Sequence, residues 1–222
     1  MPRGQRRQVS PSSQTEIQET QRTILRTACQ LFMEHGYRGV STRQIAESCG
    51  LTQPALYHYF SDKQDLYVAV MQEELAGTHA ALERIARRNE SVEERLKRVA
   101  RYLLSTVQHD LSMMFHDINN ELSVEAQRKL MAEHHSAMIV PIMSIFEQGI
   151  QQGSLRTPRQ GGLDAVSSTH VFLSMLSKFL LRPQKPVSSE DDETCREGDT
   201  ASIDAVVHIL LYGLALPTHD GK

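Results

Sequence analysis

The sequence predicts an all-α protein: a small three-helix head with a helix-turn-helix, followed by a larger helical bundle, about nine helices in total. Three observations carry this. The 222 residues include no Trp and only 5% aromatics, while Leu, Ala, Glu, Gln and Arg are plentiful. Apolar residues recur at spacings of three and four along most of the chain. Ser/Thr residues followed three positions later by Gln or Glu mark helix starts at several places.

Residues 1–14 (MPRGQRRQVSPSSQ) are polar and basic, with Pro and Ser, and are expected as a flexible arm. The helical period starts at Glu16, with Ile24, Ala28 and Leu31 on one stripe and Leu25, Cys29 and Phe32 beside it. Gly36 is the expected C-cap. Ser41 to Gln44 form a capping box that opens a short second helix, ended by Gly50. Thr52 caps a third helix, with Pro54 tolerated in its first turn and an end near Phe60. A further box at Ser61 to Gln64 opens a long helix to about Arg88, with Leu66, Val70, Leu75, Leu82 and Ile85 inward.

Ser91 to Glu94 cap a helix through about His109, with Leu96, Val99, Leu103, Leu104 and Val107 inward. A short segment around Leu111–Asn119 follows, then a long helix over 124–152 with a kink expected at Pro141. Gly149, Gly153 and the 158–162 stretch end it. Residues 163–181 and 201–216 form two very apolar helices, separated by an acidic, turn-rich loop over 184–200. The domain reading is an arm over 1–14, a head over 15–62 and a body over 63–216.

Charge is divided between these parts. Residues 1–63 hold eight Lys/Arg against five acids, +3, and the remainder holds 16 against 22, −6. A basic end on an acidic body suits contact with a polyanion. Cys29, Cys49 and Cys195 are odd in number and lack paired spacing, which excludes a disulfide framework and a zinc finger. No apolar run reaches the roughly 18 residues of a membrane span. The N-terminus lacks the apolar core of a secretory signal, so the expected location is the bacterial cytoplasm, at the nucleoid.

A short helix, a Gly turn and a short helix lay the second helix in a major groove. Ala46 is small where the two helices cross, Gly50 permits positive φ, and Cys49, Leu51 and Leu56 can fill the wedge. Arg43 could reach a guanine edge or lie solvated. Gln53 can pair with adenine, and Pro54 and Ala55 can touch a thymine methyl. Leu56 and Phe60 face inward, which leaves Gln53 and Tyr57 outward together. Thr52 is a further expected DNA contact, Tyr59 is expected as a phosphate ligand and Lys63 as a phosphate clamp. His58 is either a contact or a partly packed histidine. Arg3, Arg6 and Arg7 could lie in the minor groove.

The run 39–68, GVSTRQIAESCGLTQPALYHYFSDKQDLYV, resembles the N-terminal signature of the TetR family of bacterial regulators. The matching pieces are Gly36-Tyr37, Ser41-Thr42, Ile45-Ala46, Gly50-Leu51, Ala55-Leu56-Tyr57, Tyr59-Phe60, Lys63 and Asp65-Leu66. The resemblance covers about residues 17–70, and beyond it only the helical architecture is similar. It implies a transcriptional regulator, a phosphate contact at Thr42, a DNA contact at Tyr57, and a homodimer paired through the last two helices. Val171, Met175, Phe179, Val206, Leu210 and Leu214 are the expected dimer contacts.

Six of the nine Met residues fall between 113 and 175. Met adapts to varied apolar ligands, and it also simply fills cores. The expected pocket for a small-molecule effector comprises Leu103, Val107, Met113, Met114, His116, His134, Met138, Ile142 and His170. No other cofactor, no metal and no membrane is expected. The expected mechanism is repression, relieved when ligand in the body displaces the 61–88 helix that carries the head. Regulation by a partner protein, through the acidic loop 186–199, or by a metal at His116, His135 or His170 is the alternative. His109-Asp110 and His116-Asp117 also raise an all-helical metal-dependent phosphohydrolase, although no second helix supplies a convincing carboxylate.

Overall fold

A computed structural model of the chain describes residues 11–106, 117–180 and 203–212. Its regular elements are helices: α1 (Pro11–Gly39), α2 (Thr42–Ser48), α3 (Gln53–Tyr57), α4 (Lys63–Ala86), α5 (Val92–Thr106), α6 (117–121), α7 (Val124–His134), α8 (Val140–Gln151), α9 (Ala165–Leu180) and α10 (203–212). α1 begins at Pro11, within the stretch expected as the arm. Proline suits a first helical turn, where its missing N–H has no intrahelical role. The arginines of the arm and the acidic loop lie outside the described residues.

The chain divides into two compact units. The first takes the chain to Glu73 and adds the later segment that ends at Leu130; the second begins at Glu74 and resumes at Met131. The first unit thus contains residues beyond the 15–62 of the expected head. Ile24, Ala28, Phe32, Ile45, Leu56, Phe60, Leu66 and Met71 are buried in it, and so are Ile118, Leu122 and Ala126 from the later segment.

Polar bonds tie that segment down. The Tyr37 N–H donates to Asp117 Oδ2 at 2.8 Å, and Arg38 pairs with Glu121 at 2.7 Å. The Ser123 N–H donates to Gln64 Oε1 at 2.7 Å. Gln64 is thus not the capping partner of Ser61. Asp62 caps α4 instead, accepting from the Asp65 N–H at 2.7 Å, while the Asp65 carboxylate reaches back to the Ser61 N–H at 3.0 Å. Carboxylates accept amide hydrogens at the positive end of a helix more strongly than a neutral side chain does. The cap lies one residue later than expected, and the return bond goes to the residue before it.

The second unit has one continuous core. Leu82 and Ala86 of α4, Leu96, Val99 and Leu103 of α5, Ile142, Ile145 and Phe146 of α8, Phe172 and Leu176 of α9, and Val207 of α10 belong to it. Phe146 and Phe172 meet edge to face at 6.2 Å. Gly149 is inside α8 rather than at its end. A β-carbon there would come within 2.8 Å of both Val92 and Leu155.

The kink expected at Pro141 is a π turn over His135–Ile139, between α7 and α8. A proline ring clashes with the carbonyl four residues back and cannot donate to it. One wide turn before Pro141 moves that carbonyl aside, and the chain continues as α-helix. Arg95 is 3% exposed and closes the end of α4: its guanidinium donates to the Ala86 carbonyl at 2.9 Å and to Gln148 Oε1 at 2.7 Å.

Candidate nucleic-acid interface

The α2–α3 hairpin is set by its caps. Ser41 Oγ accepts the Gln44 N–H at 3.2 Å, and Gln44 Oε1 accepts the Ser41 N–H at 2.8 Å. At the far end of α2, Gly50 adopts φ 68°. That turn lets the Gly50 N–H reach the Glu47 carbonyl and the Leu51 N–H reach the Ala46 carbonyl at 2.8 Å, which closes the helix. Upstream, Gly36 at φ 71°, ψ 168° breaks α1. Only glycine occupies that region readily, so the two glycines fix the entry and the turn of the hairpin. Thr52 Oγ1 then accepts the Ala55 N–H at 3.3 Å and starts α3.

α3 ends at Tyr57, earlier than expected. The His58 and Tyr59 amides turn back to Ala55 and Leu56, tightening the chain so that Phe60 is still buried beside Leu56. The inward and outward faces are therefore kept. Tyr57 is 45% exposed, Pro54 and His58 are exposed, and Gln53, Ala55 and Tyr59 are half-buried.

Three of the expected contact residues form a ring of hydrogen bonds. Gln53 Nε2 donates to Thr42 Oγ1 at 3.0 Å and to Tyr57 OH at 3.3 Å, and the two hydroxyls lie 3.2 Å apart. The Thr42 side chain is buried beneath the other two. Arg43 is exposed, with its Nε on Glu47 at 2.8 Å along α2.

Lys63 is half-buried, its ammonium 4.2 Å from the centre of the Tyr37 ring. Burial pushes the Lys63 pKa down, against the pull of Glu121 and Asp117. Tyr37, Phe32 and Tyr67 pack as an aromatic cluster behind it. Burial raises the pKa of both tyrosines, and nearby acids add to the effect.

The expected sites in the body are more scattered. Leu103 and Ile142 are core residues, with Met138 packed against the same core. His134 is half-buried, and burial followed by the neighbouring His135 lowers its pKa. His135 is exposed, as is His170, whose Nδ1 lies 2.9 Å from the Val166 carbonyl. Val107, Met113, Met114, His116 and Leu214 lie outside the described residues, and the Phe179 side chain is not described. Among the described residues, no three His, Cys, Asp or Glu side chains gather as a metal site.

Val171 is exposed and Met175 half-buried on α9, whereas Val206 and Leu210 of α10 are buried in their own core. Exposed apolar surface lies instead at Val166 and Leu163 and, on α10, at Ile209 and Tyr212. Asp117, Glu121 and Gln64 were not legible as head residues, because their partners lie between 59 and 83 positions away along the chain.

A capped, glycine-turned helical hairpin with a polar outer face is the geometry of a helix-turn-helix. Residues 24–70 match the model of the bacterial regulatory proteins of the tetR family. The head is thus similar to the DNA-binding head of tetR-family regulators. The chain is 39% identical over 64 residues to the transcriptional repressor AcnR of Corynebacterium diphtheriae, a match covering 29% of this chain and 34% of that one. It is 27% identical over 171 residues to AcnR of Corynebacterium glutamicum, covering 75% and 83%. The first of these matches spans about a third of its relative's length, and the second most of it. The crystal structure of AibR in complex with isovaleryl coenzyme A and operator DNA shares the fold, with a TM-score of 0.62 at 24% identity over 86% of this chain and 98% of AibR. Among the described residues no helix is long and apolar enough to cross a membrane.

Proposed function

We propose that this regulator is a homodimeric repressor that binds a palindromic operator and is released by a small apolar ligand in its body. The observation that carries the reading is the polar face of α2 and α3, where Gln53 and Tyr57 stand outward on a hairpin fixed by its caps. Thr42, Arg43, Thr52, Gln53, Pro54, Ala55, Tyr57, His58, Tyr59 and Lys63 are the proposed contacts. A single head offers few base contacts, so two heads on half-sites supply the affinity. The apolar side chains left outward on α9 and α10, Val166 at 49% and Tyr212 at 81% exposure among them, suit the partner surface.

The naming of AcnR as a repressor supports this sign, and the isovaleryl coenzyme A bound to AibR, apolar only at its acyl end, makes acyl thioesters the first ligands to test. A coupling of about 1–3 kcal/mol between ligand and operator is sufficient for control. The regulator acts in the cytoplasm, and no reaction is assigned to it. Asp117, the acid of the second His-Asp pair, is 7% exposed and occupied by the Tyr37 N–H, which argues against a phosphohydrolase.

The test uses duplexes spanning the DNA on either side of its own gene. One of them should bind specifically and be released by short acyl thioesters. The double variant Gln53→Ala/Tyr57→Ala should lose specific binding while keeping its helical content. Retained specific binding in a folded double variant would overturn the interface.

A further inference from the structure

We propose that Thr42 and Tyr57 hold the Gln53 amide with its nitrogen inward, so that Gln53 meets the operator as an acceptor alone and reads adenine and cytosine alike. This rests on the proposed interface and adds a rule of specificity to it.

Counting hydrogens fixes the amide. The ring has three contacts, Gln53–Thr42, Gln53–Tyr57 and Thr42–Tyr57, and each needs one hydrogen. With nitrogen inward, the amide supplies two and one hydroxyl supplies the third. With the amide turned over, its oxygen faces two hydroxyls that own one hydrogen each. Both would be drawn to that oxygen, and the 3.2 Å contact between the hydroxyls would hold none. Only the first arrangement satisfies all three contacts. It leaves Gln53 Oε1, which accepts no bond among the described residues, as the group on offer. It also leaves one hydroxyl hydrogen, which suits Tyr57, the more exposed of the two, for a backbone phosphate.

The consequence concerns bases. A free glutamine recognises adenine in the major groove by two bonds, accepting from N6–H and donating to N7. A glutamine whose donors are committed keeps only the first. Cytosine presents its N4–H at a closely similar place on the same strand, so the two bases become equivalent. Thymine and guanine present acceptors there and are excluded. Thr42 and Tyr57 are thus positioning residues for base choice, beyond any contact they make with phosphate.

The experiment is selection of bound duplexes from a random pool by the full-length protein, followed by competition between single-base variants of the selected site. Gln53→Ala identifies the position that depends on Gln53. At that position the wild type should accept adenine and cytosine within about threefold, and reject thymine and guanine. The variant Thr42→Val/Tyr57→Phe, which keeps shape but releases the amide, should favour adenine over cytosine by about tenfold, a second bond being restored. Tyr57→Phe alone should move the ratio the same way, and serves if the double variant melts early. Uniform loss of affinity leaves the ratio untouched and reads out the phosphate contact separately. A wild type that already selects adenine alone, or a ratio unmoved in the variants, overturns the proposal. So does a selected site with no position sensitive to Gln53→Ala, while the interface itself survives that result. A pool from which no sequence is enriched overturns the interface as well.

Discussion

Replacing Asp117 isolates the bond that joins a distant segment to the head. Its carboxylate accepts the Tyr37 N–H at 2.8 Å, one residue after the break in α1 at Gly36. In Asp117→Ala that amide loses an acceptor at a site where Asp117 itself is almost wholly buried. Bonds to charged acceptors contribute about 1.5–3 kcal/mol, and Tyr37 is only partly buried, so water recovers some of the loss. The expected destabilisation is about 2 kcal/mol. Asp117→Asn keeps an acceptor oxygen of the same reach and should lose less than about 1 kcal/mol. The assay is urea unfolding, paired with hydrogen exchange at the Tyr37 amide. A loss of about 2 kcal/mol corresponds to roughly 30-fold faster exchange at that amide, provided it opens by the same unfolding. If Asp117→Ala unfolds within about 0.5 kcal/mol of the wild type, the bond contributes nothing and the reasoning fails.

Other consequences follow from the packing and the titrating groups. Gly149→Ala should lower stability by about 1–3 kcal/mol in thermal unfolding, because the new methyl meets Val92 and Leu155 at 2.8 Å; an unchanged midpoint would mean the body is loosely packed there. Arg95→Ala should lower it by about 2–4 kcal/mol, since the Ala86 carbonyl and Gln148 lose their donor in a buried site, whereas Arg95→Lys should recover part of the loss. Burial raises the pKa of Tyr37 and Tyr67 in the folded state. Neutral phenols therefore stabilise the fold fully below the ordinary tyrosine value of about 10, and that stability is lost as pH rises above it. Denaturation followed from pH 9 to 12 should show a steepening fall that Tyr67→Phe reduces; an unchanged slope would place the loss elsewhere.

The local features of the head were legible because they depend on neighbours in sequence. The Ser41 box, the positive φ at Gly50, the Thr52 cap and the shared outward face of Gln53 and Tyr57 all arise within a few residues. The α4 cap was misplaced by one residue, since Ser61 and Asp62 are both good caps and Gln64 is engaged by Ser123 rather than by Ser61. Pro141 announced an irregularity, but the choice of a π turn over a simple kink depends on how α8 seats between α5 and α9. The Gln53 ring was not legible: periodicity brings Gln53 and Tyr57 together, yet Thr42 reaches them only through the crossing angle of two helices. The body gave up its periodicity and little more, because Leu103 and Ile142 read the same in a pocket wall as in a core.

The segment that follows α5 bears on any attempt to trade heads between this chain and regulators with similar heads. A graft cut at residue 62, the end of the expected head, would carry Tyr37 and Arg38 away from their own Asp117 and Glu121. The transplantable piece is discontinuous: the chain through the first half of α4 together with the 117–130 segment. Chimaeras that respect that boundary should keep the donor's operator preference, and those cut at the motif should be sensitive to whichever body they are given.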